Sequence, residues 1–203
     1  MNIKQSIAQT CSIIFHPLLI PTYGFLLLMN SGFYFSMITF DAKKLLLLIV
    51  FMSTFLMPLL SLGLLSFNKH FNMKMDKSTD RVIPLLFTAI YFYLGYFYLG
   101  RLQVYPIYRI FLLSTILIII LLLLISMKWK ISNHMAGIGG LIGAILALSF
   151  RLGLNSSLLL TGLIAVAGAV GTSRLILEKH TPVQIYAGFF LGFAVNYLVI
   201  IYL

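Results

Sequence analysis

Charge is what this chain has least of. Its 203 residues include 14 Lys+Arg and only 4 Asp+Glu, so 9% are charged while 61% are hydrophobic. Soluble domains use roughly 25% charged and 45–50% apolar residues. That shortage excludes an ordinary soluble fold and leaves nothing polar for a second domain. The chain reads as a single integral membrane domain over residues 1–203. Acidic residues are too few to build a carboxylate cluster for Mg²⁺. Cys11 is the only cysteine, which excludes an intramolecular disulfide and a cysteine-based metal site. A net charge of +10 would suggest nucleic acid in a soluble protein. In so apolar a chain, Lys and Arg instead flank membrane segments and meet lipid phosphates. Membrane lipids are therefore the expected partners, and nucleic acid is not.

Crossing roughly 30 Å of hydrocarbon takes about 20 apolar residues. Seven stretches qualify, at about 12–29, 43–66, 82–100, 107–127, 134–150, 156–173 and 183–203. The apolar runs are continuous and do not alternate, which excludes a β-barrel. The expected fold is all-α, a polytopic transmembrane helical bundle of six or seven spans. The first stretch is interrupted by His16, Pro17 and Pro21, so it is either kinked or enters only part way. Lys4 before this run resembles a signal anchor. No small-x-small cleavage site follows, so the segment is expected to stay in the mature chain. Gly139 with Gly143, and Gly188 with Gly192, have the spacing of close helix-packing faces. The tyrosines near residues 91–98 read as span filling and interface belts.

Span parity sorts the loops. Loops 67–81, 128–133 and 174–182 share one membrane face, whether or not the first segment crosses. That face gathers His70, Lys74, Arg81, Ser132, His134, Ser173, Arg174, His180 and, at a helix entrance, Gln184. Lys74 precedes Arg81 by seven positions, and Pro84 follows. Next comes Ile131-Ser132-Asn133-His134. The third stretch is Ser173-Arg174, five residues, His180, three residues, Gln184.

These three stretches resemble the type 2 phosphatidic acid phosphatase superfamily, membrane relatives of the vanadium haloperoxidases. That family is marked by Lys-x6-Arg-Pro, Pro-Ser-Gly-His and Ser-Arg-x5-His-x3-Asp. The likeness covers about residues 70–203, and its third stretch is the most specific. It implies a membrane-embedded, metal-independent phosphatase without cofactors, acting on a lipid phosphate or pyrophosphate through a phosphohistidine. By resemblance His180 is the nucleophile and His134 the acid towards the leaving group. Lys74, Arg81 and Arg174 clamp phosphate oxygens, Ser132 donates a further hydrogen bond, and Ser173 lies in the same motif. The resemblance also implies a bacterial inner-membrane protein with its site on the outer face. The chain departs from the family at Ile131, Asn133, the displaced Pro84 and above all Gln184, where the family has aspartate.

The residue types agree with this chemistry. A phosphate monoester carries up to two negative charges, and three cations suit it. Two histidines permit nucleophilic attack by one and protonation of the leaving oxygen by the other. Each residue also has a plainer reading. Thr181-Pro182-Val183-Gln184 is a capping-box pattern in which Gln184 reaches back to the helix start. Lys74 and Arg81 would serve as interfacial anchors, and either histidine as an interfacial residue. The alternative function is a non-catalytic lipid-phosphate binder or transporter, which the uncharged Gln184 favours. A purely structural subunit is the third. The positive-inside count gives nine cations on the site face and five on the other; without the three clamp residues it is six to five.

Overall fold

A computed structural model describes residues 2–30, 32, 37–67, 77–153 and 155–203. The helices are α1 (Ile3–Ile14), α2 (Ile20–Asn30), α3 (Phe40–Phe51), α4 (Met57–Ser66), α5 (Val82–Leu99), α6 (Pro106–Ser126), α7 (Asn133–Leu152), α8 (Ser157–Ile176) and α9 (Pro182–Tyr202). A π-helical turn, Met52–Leu56, joins α3 to α4, and a 3-10 turn, Thr79–Arg81, leads into α5. No strand occurs among the described residues. Among the described residues, six stretches are long and apolar enough to cross a membrane: Phe40–Ser66, Thr79–Leu99, Pro106–Ser126, Asn133–Leu152, Ser157–Ile176 and Pro182–Tyr202. The protein is an all-α polytopic membrane bundle, and these helices match six of the seven expected spans within a few residues.

The remaining stretch, 12–29, is broken. Pro17 has no N–H for a helix and pushes the residue before it out of helical conformation. The chain therefore leaves α1 at Phe15 and resumes helix only at Ile20. Pro21 sits in the first turn of α2, where a missing N–H costs nothing. With 12 and 11 residues, α1 and α2 each reach under about 20 Å, too short to cross alone.

The described chain forms two compact units, Met1–Ile20 with Lys130–Leu203, and Pro21–Trp129. In the second, Phe25 is fully buried against Tyr108 and Phe111, with ring centroids 5.5 and 5.8 Å away. Its π turn lies directly before Pro58 and absorbs the ring and the missing donor that would otherwise kink the span.

The first unit is built on α7 and α9, with α8 against α7 and α1 against α8. A Cβ on Gly139 would overlap the Phe189 carbonyl, and one on Gly143 the Phe193 carbonyl. From the other side, Gly188 faces the Ser132 carbonyl and Gly192 the Ala136 carbonyl. The partner numbers rise together, so α7 and α9 run parallel at constant register. The two glycine pairs expected as packing faces thus meet each other's helix, backbone to backbone. Inside lipid such contact supplies dispersion that apolar side chains cannot gain by leaving water.

Hydrogen bonds hold that register along its length. Ser132 N–H donates to the Gln184 carbonyl at 3.3 Å, at the entrance of both helices. Midway, the buried Asn196 Nδ2 donates to the Gly140 carbonyl at 2.9 Å. At the far end an Arg151 guanidinium N–H reaches the Ile200 carbonyl at 2.7 Å. Gly153, at φ 64°, then ends α7 in the left-handed conformation that glycine adopts without steric cost.

Candidate functional site

The site lies at one end of the first unit, where α7 and α9 begin and α8 ends. Ser132 is the residue before α7, completely buried, and its hydroxyl has no hydrogen-bond partner among the described residues. The half-buried His134, one residue into α7, has Nε2 3.2 Å from the Ser12 carbonyl. Arg174 occupies the last turn of α8. Its guanidinium and the His180 ring both lie within electrostatic range of His134. Ser173 is buried, and its hydroxyl donates to the Ala169 carbonyl of its own helix at 2.8 Å.

His180 closes the turn between α8 and α9 and is only 8% exposed. Its Nδ1 is 3.1 Å from Gln184 Oε1, and the same oxygen accepts from Thr181 N–H at 3.2 Å. Gln184 thus completes the capping box that its spacing predicts and also meets the His180 ring. The tautomer follows from donor and acceptor types. An amide N–H can only donate, so the Gln184 atom facing Thr181 is the oxygen. That oxygen can only accept, so His180 Nδ1 carries hydrogen. The neutral ring then keeps its lone pair on Nε2.

The turn that delivers His180 is closed by Leu177 N–H to the Ser173 carbonyl and Lys179 N–H to the Arg174 carbonyl, both 3.1 Å. Glu178 between them is exposed and takes φ 51°, the left-handed region. A side chain there costs roughly 1–2 kcal/mol. Glu178→Gly is accordingly expected to raise the thermal midpoint in detergent, by the equivalent of about 1 kcal/mol, and Glu178→Val to lower it. A lowered midpoint for the glycine variant would show that the carboxylate itself stabilises the turn.

His134, His180, Gln184, Ser132, Ser173 and Arg174 thus belong to one unit and one end of it. Arg81 is half-buried in the 3-10 turn at the entrance of α5, in the other unit. Lys74 and His70 lie outside the described residues. Two contributors were missed by the motif reading: the Ser12 carbonyl and His16. The His16 ring stands edge-on to His134, with centroids 5.6 Å apart and planes at 77°. Its imidazole is held below its ordinary pKa by burial first and by the Arg174 charge second. The interrupted first stretch was the available signal, since broken helices in membrane proteins gather at sites.

Comparison with protein-family models, with curated proteins and with solved structures finds no match to this chain.

Proposed function

We propose that this chain is a metal-independent phosphatase of lipid phosphates or pyrophosphates, working through a phosphohistidine. One observation carries the reading: a buried histidine is held by its Nδ1–H on Gln184, leaving the Nε2 lone pair as its nucleophile, beside a second histidine and an arginine. In the first step Nε2 of His180 bonds to phosphorus while the bond to the leaving oxygen breaks. Protonated His134 gives its proton to that oxygen. Water then attacks phosphorus, the P–N bond breaks, and His134 takes the water's proton. Arg174 offsets charge on the phosphoryl oxygens, and the Ser132 hydroxyl is a buried donor without a partner among the described residues. Lys74 and Arg81 enter through the sequence motif alone. A site where helix ends meet the headgroup layer lets the lipid tails stay in the bilayer. The resemblance places it on the outer face of a bacterial inner membrane.

A second reading rests on Gln184, which carries no charge and shares its oxygen with Thr181. It would stabilise an imidazolium less than a carboxylate does, as expected of a binder or transporter that keeps the phosphate cradle.

The test is phosphate release by detergent-solubilised protein with a chelator present. Phosphatidic acid, phosphatidylglycerol phosphate, lipid A and a polyprenyl pyrophosphate serve as substrates. Release is expected from at least one, and His180→Ala should reduce it to background. No release from any of them, with binding retained, would favour the second reading.

A further inference from the structure

The first apolar segment ends inside this site. Ser12, buried near the end of α1, directs its carbonyl at His134 Nε2, 3.2 Å away. A carbonyl only accepts, so His134 carries its hydrogen on Nε2 and exchanges protons through Nδ1. Four residues on, His16 Nδ1 accepts from Leu18 N–H at 3.3 Å. A neutral His16 therefore carries its hydrogen on Nε2 as well. Among the described residues, the charged or titratable groups facing this pair are Arg174 from α8 and His180 from the turn before α9. No carboxylate is among them.

We propose that His16 is a further binding residue of the phosphate site: it takes a proton from solvent when a dianionic tetrahedral headgroup arrives beside Arg174, and so supplies the anion with a second cation. The inference rests on the phosphate-site reading above. Burial is the first of three features that keep the ring neutral before an anion arrives. The cationic neighbour opposes a second positive charge, and an imidazolium could no longer accept from Leu18 N–H. Protonation must therefore release that bond and loosen the turn at Pro17. An incoming dianion reverses the effect of Arg174, because its charge offsets that cation and attracts the imidazolium. The sign follows by linkage. The anion-bound state binds the proton more tightly than the free state, so anion affinity rises as pH falls towards and below the ordinary histidine range.

Inorganic sulfate is the probe, because it matches phosphate in shape and charge, does not titrate near neutrality and cannot be hydrolysed. Its binding to the full-length protein in detergent is measured by calorimetry in two buffers of different ionisation heat, between pH 6 and 7.5. Net proton uptake is expected, with affinity rising about fivefold across that range. His16→Gln keeps an acceptor for Leu18 N–H, and His16→Phe keeps a ring against His134. Both should lose more than half of the uptake and most of the pH dependence while still binding sulfate. Uptake unchanged in both variants overturns the assignment to His16 and leaves the phosphate site standing. No sulfate binding by the unaltered protein overturns the phosphate site, and this inference with it.

Discussion

Gly192→Leu is expected to unfold the first unit and abolish the site with it. A Cβ at position 192 would overlap the Ala136 carbonyl and crowd the Gly140 amide nitrogen, both backbone groups of α7. Side chains can rotate out of the way; a helix backbone can yield only if the whole helix moves. Overpacking ordinarily costs about 1–3 kcal/mol, and rigid neighbours put this case at or above the top of that range. The loss does not stop at one contact. Separating α7 from α9 also breaks the buried Asn196–Gly140 hydrogen bond one turn further on. Gly168→Leu is the matched control, since nothing lies within 4 Å of a Cβ at that position. Thermal unfolding in detergent should show a loss of at least about 3 kcal/mol for Gly192→Leu and little change for Gly168→Leu. Equal midpoints for the two variants would mean that α7 and α9 do not pack as described.

The same register links packing to chemistry. Gly188 admits the Ser132 carbonyl, and Ser132 N–H binds the Gln184 carbonyl. The entrances of α7 and α9 are therefore joined directly, and His134 and His180 belong to those two entrances. A spacing that reads in sequence as plain helix packing also sets the distance between the two histidines.

What was legible in the sequence is what is local or periodic. Spans are runs of apolar residues, so their limits could be read within a few positions. His180 and Gln184 stand four apart across a helix start, close enough in sequence for their side chains to meet. The capping box rests on the same short spacing. Pro17 marked the first segment as interrupted, because a missing donor is visible in any sequence. What lay beyond reach was the destination of that interruption. Ser12 and His134 are 122 positions apart, and the contact uses a backbone carbonyl, which no side-chain motif announces. His16 read only as an interruption of the first stretch for the same reason: beyond its own turn it meets His134 of α7 and Arg174 of α8.

Gln184→Glu should raise the rate of phosphate release and stabilise the fold together. The family resemblance points to aspartate at this position, yet the geometry favours glutamate as the stronger test. Gln184 Oε1 accepts from both His180 Nδ1 and Thr181 N–H, so its length serves two partners. Glutamate keeps that length and adds charge; aspartate adds charge one methylene shorter and must give up reach to one of them. At the third position of α9 a carboxylate also sits at the positive end of the helix dipole, a gain of about 0.3–1 kcal/mol. In the serine-protease triad, exchanging carboxylate for amide costs about 10⁴ in rate, mostly through the wrong tautomer. Here the amide already holds the productive tautomer, so only the electrostatic part remains to be recovered. An increase of about tenfold to a hundredfold in kcat is expected. The acid limb of the pH–rate profile should move to higher pH, because a carboxylate beside an imidazole favours its protonated form. A variant that gains stability but neither rate nor a shifted acid limb would assign Gln184 to capping alone. The binder reading would then stand ahead of the enzyme.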